Sequence, residues 1–354
     1  MRALQYRAIG RSPELVEIEK PVPGPGQVLL SVAAAGLCHS DTFLMGLPAD
    51  QYTFGLPLTL GHECVGHVAE LGPGVSGVHE GELVAVYGPW GCGRCVPCSR
   101  GEENYCPDAA ALGIAPPGLG APGAMAEYLL VDDARHLVPV DGLDPAAVVS
   151  LTDAGLTPYH AIKAELGLLG PGSTAVVIGA GGLGHVAIQI LKAVTAAQII
   201  AVDTSEQKRE LATSVGAHHV LPSDGGTAAA IRDLTNARGA DVVFDIVGSE
   251  ATLTTARECV RVDGSIEIVG IGGGLLPAGF FSTPFGVRVR NPYWGTRDEL
   301  AEVIALARAG HIEVTVETFG LEEAPEAYRR LREGQVRGRA VVLPQRPVPA
   351  GETA

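Results

Sequence analysis

The sequence predicts an α/β protein of two domains, one β-rich and one built on a doubly wound parallel sheet. Three observations predict it. The chain has 354 residues, more than one hydrophobic core usually holds. Residues 1–150 are short alternating runs rich in Val, Gly and Pro, separated by turn clusters. From about Leu151, strand-like and helix-like segments alternate, as in a parallel sheet with helices on both faces.

In chain order, Gln27-Val28-Leu29-Leu30-Ser31-Val32 and Leu83-Val84-Ala85-Val86 read as strands, and Pro21-Val22-Pro23-Gly24-Pro25-Gly26 as a turn cluster. Between Tyr87 and Gly123 the chain is loop-like, with many Gly, Pro and Cys residues. Thr174-Ala175-Val176-Val177-Ile178-Gly179 is a continuous apolar run, suited to a strand covered on both faces. A helical segment follows from Gly182 to about Thr195, then a strand Gln198–Asp203 and a helix Glu206–Val215. Further strands are predicted at His219–Leu221, Asp241–Asp245 and Ser265–Val269. Val287–Val289 and a helix over Asp298–Ala309 complete a set of six. The tail from Thr315, with Val341-Val342-Leu343, returns to β-like runs and is expected to rejoin the first domain.

Hydrophobic residues make up 46% and charged residues 18%, a profile that fits a globular enzyme and not a disordered chain. The formal charge of −15, with no Lys/Arg run, argues against nucleic acid or an anionic membrane as a partner. The most apolar window, Thr174 to Leu191, is interrupted by glycines and His185, so a buried strand–turn–helix is expected there and a membrane span is not. Met1 to Arg7 contain no apolar stretch of signal-peptide type, and a cytoplasmic location is expected. Four of the seven cysteines fall between Cys92 and Cys106, and without an export signal that clustering favours metal over disulfides.

Three motifs carry chemistry. Cys38-His39-Ser40-Asp41 and Gly61-His62-Glu63-Cys64-Val65-Gly66 place a thiol and an imidazole two dozen residues apart. They read as two ligands of one metal or, equally, as packed core residues, since a catalytic zinc needs a third protein ligand and an open position. Cys92, Cys95, Cys98 and Cys106 are more specific: C-x2-C-x2-C-x7-C suits a tetrahedral structural zinc, with an iron–sulfur cluster as the alternative. Gly179-Ala180-Gly181-Gly182-Leu183-Gly184 follows the strongest predicted strand and opens a helix, the arrangement that cradles a dinucleotide pyrophosphate. Asp203, nineteen residues after Gly184 at the end of the next strand, is suited to the adenosine ribose hydroxyls and disfavours a 2′-phosphate, which points to NAD. Lys208 is either a further ribose contact or a solvated charge.

Together these residues resemble a zinc-containing alcohol dehydrogenase of the medium-chain dehydrogenase/reductase family, over nearly the whole chain. The chain is similar in particular to bacterial secondary-alcohol dehydrogenases of the Rhodococcus type, in Tyr87-Gly88-Pro89-Trp90-Gly91-Cys92-Gly93 and Leu151-Thr152-Asp153-Ala154-Gly155. The resemblance implies a GroES-like catalytic domain over 1–152 and 293–354 and a six-stranded, NAD-binding Rossmann domain over 153–292. It implies two zinc ions per chain, one structural at the four cysteines and one catalytic on Cys38, His62 and a third ligand, Asp153. Glu63 matches a transient ligand or a neighbour of the ligands, Thr157 a nicotinamide contact, Leu183 a side chain packed on that ring, and Arg339 a pyrophosphate contact or a surface arginine. Cys64 and Cys259 match no ligand position and are expected to be small buried hydrophobes.

The implied reaction is hydride transfer between a zinc-polarised alcohol or ketone and NAD, with Ser40 accepting the alcohol proton. Phe43 stands where many relatives carry the histidine that ends the proton relay, so His39 is offered as the outlet. Phe43, Phe54, Leu119, Phe281 and Trp294 match pocket positions or are ordinary core, and their apolar character suits an uncharged hydrophobic substrate. The family further implies a homo-oligomer, a tetramer before a dimer. A primary-alcohol, aldehyde-forming or polyol dehydrogenase is the competing reading.

Overall fold

The computed structural model describes residues Met1–Gln345; the end of the expected catalytic domain, 346–354, lies outside the described residues. The chain divides into two units, one formed by Met1–Asp153, Thr296–Ile304 and the segment from Val314, the other by Ala154–Gly295 and Ala305–Glu313.

The first unit is β-rich because its apolar residues recur with the strand period. Val28–Gly36 is buried at every position but Ser31 and Ala33 and lies centrally in a seven-stranded sheet. The order is Val316–Gly320, Arg339–Leu343, Val28–Gly36, Glu63–Leu71, Leu83–Val86, Leu137–Pro139, with Tyr128–Val131 also paired to Val28–Gly36. Arg339–Leu343 runs antiparallel to Val28–Gly36, with Val341 opposite Gly36, so the tail does rejoin this unit. Leu30, Val32, Val68, Val84 and Leu129 form the core beside this sheet. Burying one such side chain fully contributes about 1.5–3 kcal/mol. The helix Ala324–Arg332 closes over the core with Ala324, Ala327, Tyr328 and Leu331 buried, the i, i+3, i+4, i+7 spacing of one helix face. A smaller antiparallel sheet joins Glu14–Glu17, Arg2–Tyr6 and Leu58–Thr59.

The second unit is a six-stranded parallel sheet in the order His219–Pro222, Gln198–Asp203, Thr174–Ile178, Ala240–Asp245, Val260–Ile268, Arg288–Arg290. Numbered within the unit this order is 3-2-1-4-5-6, the doubly wound arrangement, whose crevice opens beyond the carboxyl ends of the strands where the order reverses. Thr174–Ile178 is buried at every residue, which explains its unbroken apolar run. The helix Gly184–Val194 buries Val186, Ile188, Ile190 and Leu191. Among the described residues no helix is long and apolar enough to cross a membrane.

Candidate active site

Each of the three motifs becomes a local structure, and two of them become side-chain clusters. In the first unit, Cys38 caps the helix His39–Gly46 and His62 sits one residue before the strand Glu63–Leu71. Asp153 follows the short turn Val149–Thr152. One ligand-type atom from each of Cys38, His62, Glu63 and Asp153 lies within 4.8 Å of the others, and all four residues are buried. Asp153 Oδ2 is 3.5 Å from Cys38 Sγ and 3.4 Å from His62 Nε2. A tetrahedral zinc with usual bond lengths requires about 3.6 Å for the S–O edge and about 3.4 Å for the N–O edge. The donor set and its spacing therefore fit zinc.

Electrostatics favour a cation there as well. Burial opposes charge on His62, but Asp41, Asp153 and Cys38 outweigh it and raise its pKa well above the ordinary value. The field that draws a proton to the ring also draws a metal. His62 Nδ1 is 3.0 Å from Asp41 Oδ1, which as an N–H donor there leaves Nε2 as the ligating atom. Glu63 is fully buried and bonded to the Arg339 guanidinium, while its Oε2 has no hydrogen-bond partner among the described residues. Burial pushes the Glu63 carboxyl up to about 7 despite the opposing pull of Arg339. Gly36 makes room for that carboxylate, since a Cβ at Gly36 would lie 1.8 Å from Glu63 Oε2. Arg339, expected at a pyrophosphate or as a surface arginine, is not on the surface: it is 3% exposed and paired with Glu63. Ser40 is half-buried with its Oγ 3.6 Å from Cys38 Sγ, and His39 is exposed.

The four cysteines of the second cluster also converge. Cys92 Sγ is 4.0 Å from Cys98 Sγ and Cys95 Sγ is 3.8 Å from Cys106 Sγ, with no disulfide. Zinc–thiolate bonds in a tetrahedron give edges of about 3.8 Å. Amide N–H groups of Cys95 and Cys92 donate to Cys92 Sγ and Cys106 Sγ respectively, as thiolates require. The amide of Arg94 leads in drawing the Cys92 thiol down to about 7. Behind this lobe, Glu103 accepts from Gly91 N–H and pairs with Arg135 and His136. The His136 ring is buried and stacked on Trp90 at 5.2 Å. Cys64 and Cys259 are fully buried and belong to neither cluster.

In the second unit the glycine motif turns directly off the central strand. Gly179 has φ +93°, and a Cβ at Gly184 would stand 1.8 Å from Gly179 O, so neither position tolerates a side chain. The helix Gly184–Val194 begins there with Leu183 half-buried at its cap, and Gly181 and Gly182 form the half-buried turn before it. Its first N–H groups carry the positive end of the helix dipole. Asp203 ends the adjacent strand and binds this turn, its Oδ2 accepting from Ala180 N–H at 2.8 Å and its Oδ1 from Ser205 N–H at 2.9 Å. Lys208 reaches over the turn, its Nζ 3.8 Å from where a Gly181 Cβ would be. Thr157 is buried on the helix Leu156–Ala164.

The expected pocket residues differ in setting. Phe43 is half exposed, whereas Phe54 and Leu119 pack against the core of the first unit. In the second unit Trp294 is buried and Phe281 is 91% exposed. Sequence reasoning gave no role to Asp41 or Tyr328, nor to Glu103 and His136. Asp41 stood inside a quoted motif, and its place three residues after a helix cap was the available signal. Nothing local signals Tyr328.

Comparisons with known proteins agree with this geometry. Residues 24–142 match the alcohol dehydrogenase GroES-like domain and residues 182–309 match the zinc-binding dehydrogenase domain. An NAD-dependent alcohol dehydrogenase of Sulfurisphaera tokodaii is 38% identical over 97% of this chain and all of that protein. Two solved structures resemble the chain along its length. The alcohol dehydrogenase of Aeropyrum pernix has TM-score 0.90 and 32% identity, covering 97% of this chain and 100% of its own. The acetophenone reductase of Geotrichum candidum in complex with NAD has TM-score 0.84 and 32% identity, with 97% of each chain covered.

Proposed function

We propose that this chain, which belongs to the family of zinc-type, NAD-dependent alcohol dehydrogenases, interconverts hydrophobic secondary alcohols and ketones. It is an oxidoreductase with a GroES-like and a Rossmann-type domain. The observation that carries the proposal is the convergence of Cys38, His62 and Asp153 at 3.4–3.5 Å, an N/S/O donor set that leaves one tetrahedral position for substrate. Aspartate as third ligand resembles secondary-alcohol members of the Rhodococcus type, and a ketone reductase stands among the similar structures.

Zinc held there supplies Lewis acidity that lowers the pKa of an alcohol hydroxyl, and NAD supplies the hydride acceptor. The chain's own residues do the rest. Cys38, His62 and Asp153 fix three corners of the site, with Glu63 as a fourth, buried carboxylate beside them. Ser40 accepts the alcohol proton at its Oγ as its own hydroxyl proton leaves outward, and His39, the exposed preceding residue, passes a proton on to water. Gly179 to Gly184 hold the pyrophosphate, Asp203 and Lys208 the adenosine ribose, and Thr157 and Leu183 the nicotinamide. Phe43, Phe54, Leu119, Phe281 and Trp294 are assigned to the carbon skeleton of the substrate.

The full reading has two zinc ions per chain, a cytoplasmic homo-oligomer and a tetramer before a dimer. Initial rates with NAD on 1-phenylethanol, 2-propanol, ethanol, a polyol and an α-hydroxy acid test the substrate. The expected order puts the two secondary alcohols first; faster ethanol or polyol oxidation would replace this reading with the primary-alcohol or polyol one. Elemental analysis tests the metal count, and light scattering the assembly.

A further inference from the structure

Asp41 is fully buried, and a carboxylate without water needs donors to remain charged. It has three. Its Oδ2 accepts from Cys38 N–H at 3.1 Å and from the Tyr328 hydroxyl at 3.0 Å, and its Oδ1 faces His62 Nδ1 at 3.0 Å. Two of these donors belong to residues of the metal cluster itself. The third comes from the helix Ala324–Arg332, 287 residues further along the chain.

We propose that Tyr328 is a positioning residue for the metal cluster, its hydroxyl fixing Asp41 so that Asp41 fixes the ring of His62. The proposal rests on reading Cys38, His62 and Asp153 as a metal site. A His62 ring that hydrogen-bonds through Nδ1 can aim Nε2 only as well as its carboxylate is held. Asp41 lies on the short helix His39–Gly46 and has a rotatable side chain. Tyr328 is fully buried, on a face whose Ala327 and Leu331 pack into the same core, so its hydroxyl is fixed by the tertiary structure. Burial first, and Asp41 second, push the phenol pKa well above its ordinary value, which keeps the hydroxyl a donor. The C-terminal helix thereby reaches the metal cluster through a chain of two hydrogen bonds.

The test is the Tyr328→Phe variant of the full-length, metal-loaded protein, with Leu331→Ala as a control that loosens the same helix but keeps the hydroxyl. The readouts are zinc release to a colorimetric chelator and the absorption spectrum after cobalt replaces the zinc of the Cys38 site. In Tyr328→Phe, release from that site should speed up roughly 10–100-fold, the range for losing an outer hydrogen bond to a metal-bound histidine. Its cobalt band should shift, while metal at the four cysteines leaves at the wild-type rate. Leu331→Ala should lower the melting temperature without changing either release rate. Wild-type release and spectrum in Tyr328→Phe would overturn the proposal, and so would a Leu331→Ala variant that releases metal as fast as Tyr328→Phe. A wild-type chain that holds metal only at the four cysteines would overturn the reading of the Cys38 cluster itself.

Discussion

The two clusters of ligand-type side chains in the first unit are built in opposite ways. Cys92, Cys95, Cys98 and Cys106 come from one loop of fifteen residues, counting 92 to 106, and their sulfurs accept hydrogen bonds from amides of the same loop. Cys38, His62 and Asp153 come from three separate segments. Asp41 bonds Cys38 and His62 and is itself bonded by Tyr328, while Glu63 beside them pairs with Arg339. A loop that makes its own site can be lost without dismantling the sheet. A site assembled across the sheet depends on everything that fixes the strands. The first kind suits a closed structural metal, the second a site that must meet a substrate.

The largest expected contrast comes from removing one ligand in each cluster. Asp153→Ala should lower kcat/KM by about 10³-fold or more, because Lewis-acid stabilisation contributes several kcal/mol and each ~1.4 kcal/mol is a factor of ten. It should retain the metal of the four cysteines, as elemental analysis would show. Cys98→Ala should do the reverse, keeping kcat within a few-fold at low temperature. Losing a few kcal/mol in a unit of this size lowers the melting temperature by roughly 5–10 °C. If Cys98→Ala abolished activity without loss of stability, the division of labour between the clusters would be wrong.

Ser40→Ala sharpens the contrast at the level of the proton. Loss of a general base typically costs about 10²–10⁴-fold, so kcat should fall by at least two orders of magnitude while zinc content stays unchanged. His39→Ala should change the pH–rate profile with a smaller loss. An unchanged profile and unchanged NAD affinity would remove His39 from the relay.

The smallest effect lies away from both clusters. In the second unit Glu267 is buried beside Glu165 and Arg290. Burial pushes Glu267 up to about 7; Arg290 opposes this and Glu165 adds to it. The folded state therefore holds a proton that the unfolded chain releases near its ordinary 4.5, and stability falls as pH rises from about 4.5 to 7. Glu267→Gln should flatten that slope in thermal melts across this window. A variant that keeps the wild-type slope would place the titration elsewhere.

Much of this was legible because the responsible interactions are short in sequence. The apolar run Thr174–Ile178 announced a strand covered on both faces, and the turn after it could not be built without Gly179 and Gly184. The cysteine spacing announced one tetrahedral site. The third ligand of the other site was not readable from residue spacing. Asp153 entered by resemblance, since nothing around Thr152-Asp153-Ala154 differs from an ordinary turn. Arg339 entered by resemblance as a pyrophosphate contact or a surface arginine; its burial against Glu63, which lies beside Gly36 in the neighbouring strand pair, was not readable from its sequence neighbourhood. Tyr328 drew no notice in the sequence; its ring packs in the core, and its hydroxyl reaches Asp41.

The order of strands and helices, the glycine turn with Asp203 beside it and the four-cysteine loop follow from local sequence. Backbone geometry and hydrophobic periodicity act over a few residues, so a few residues suffice to encode them. The tertiary structure alone brought Asp153 to Cys38 and His62, and tied Asp41 to Tyr328 and Glu63 to Arg339. A buried charge takes whichever donor the fold delivers, and that partner is set by how the sheet and the C-terminal helix pack, not by distance along the chain.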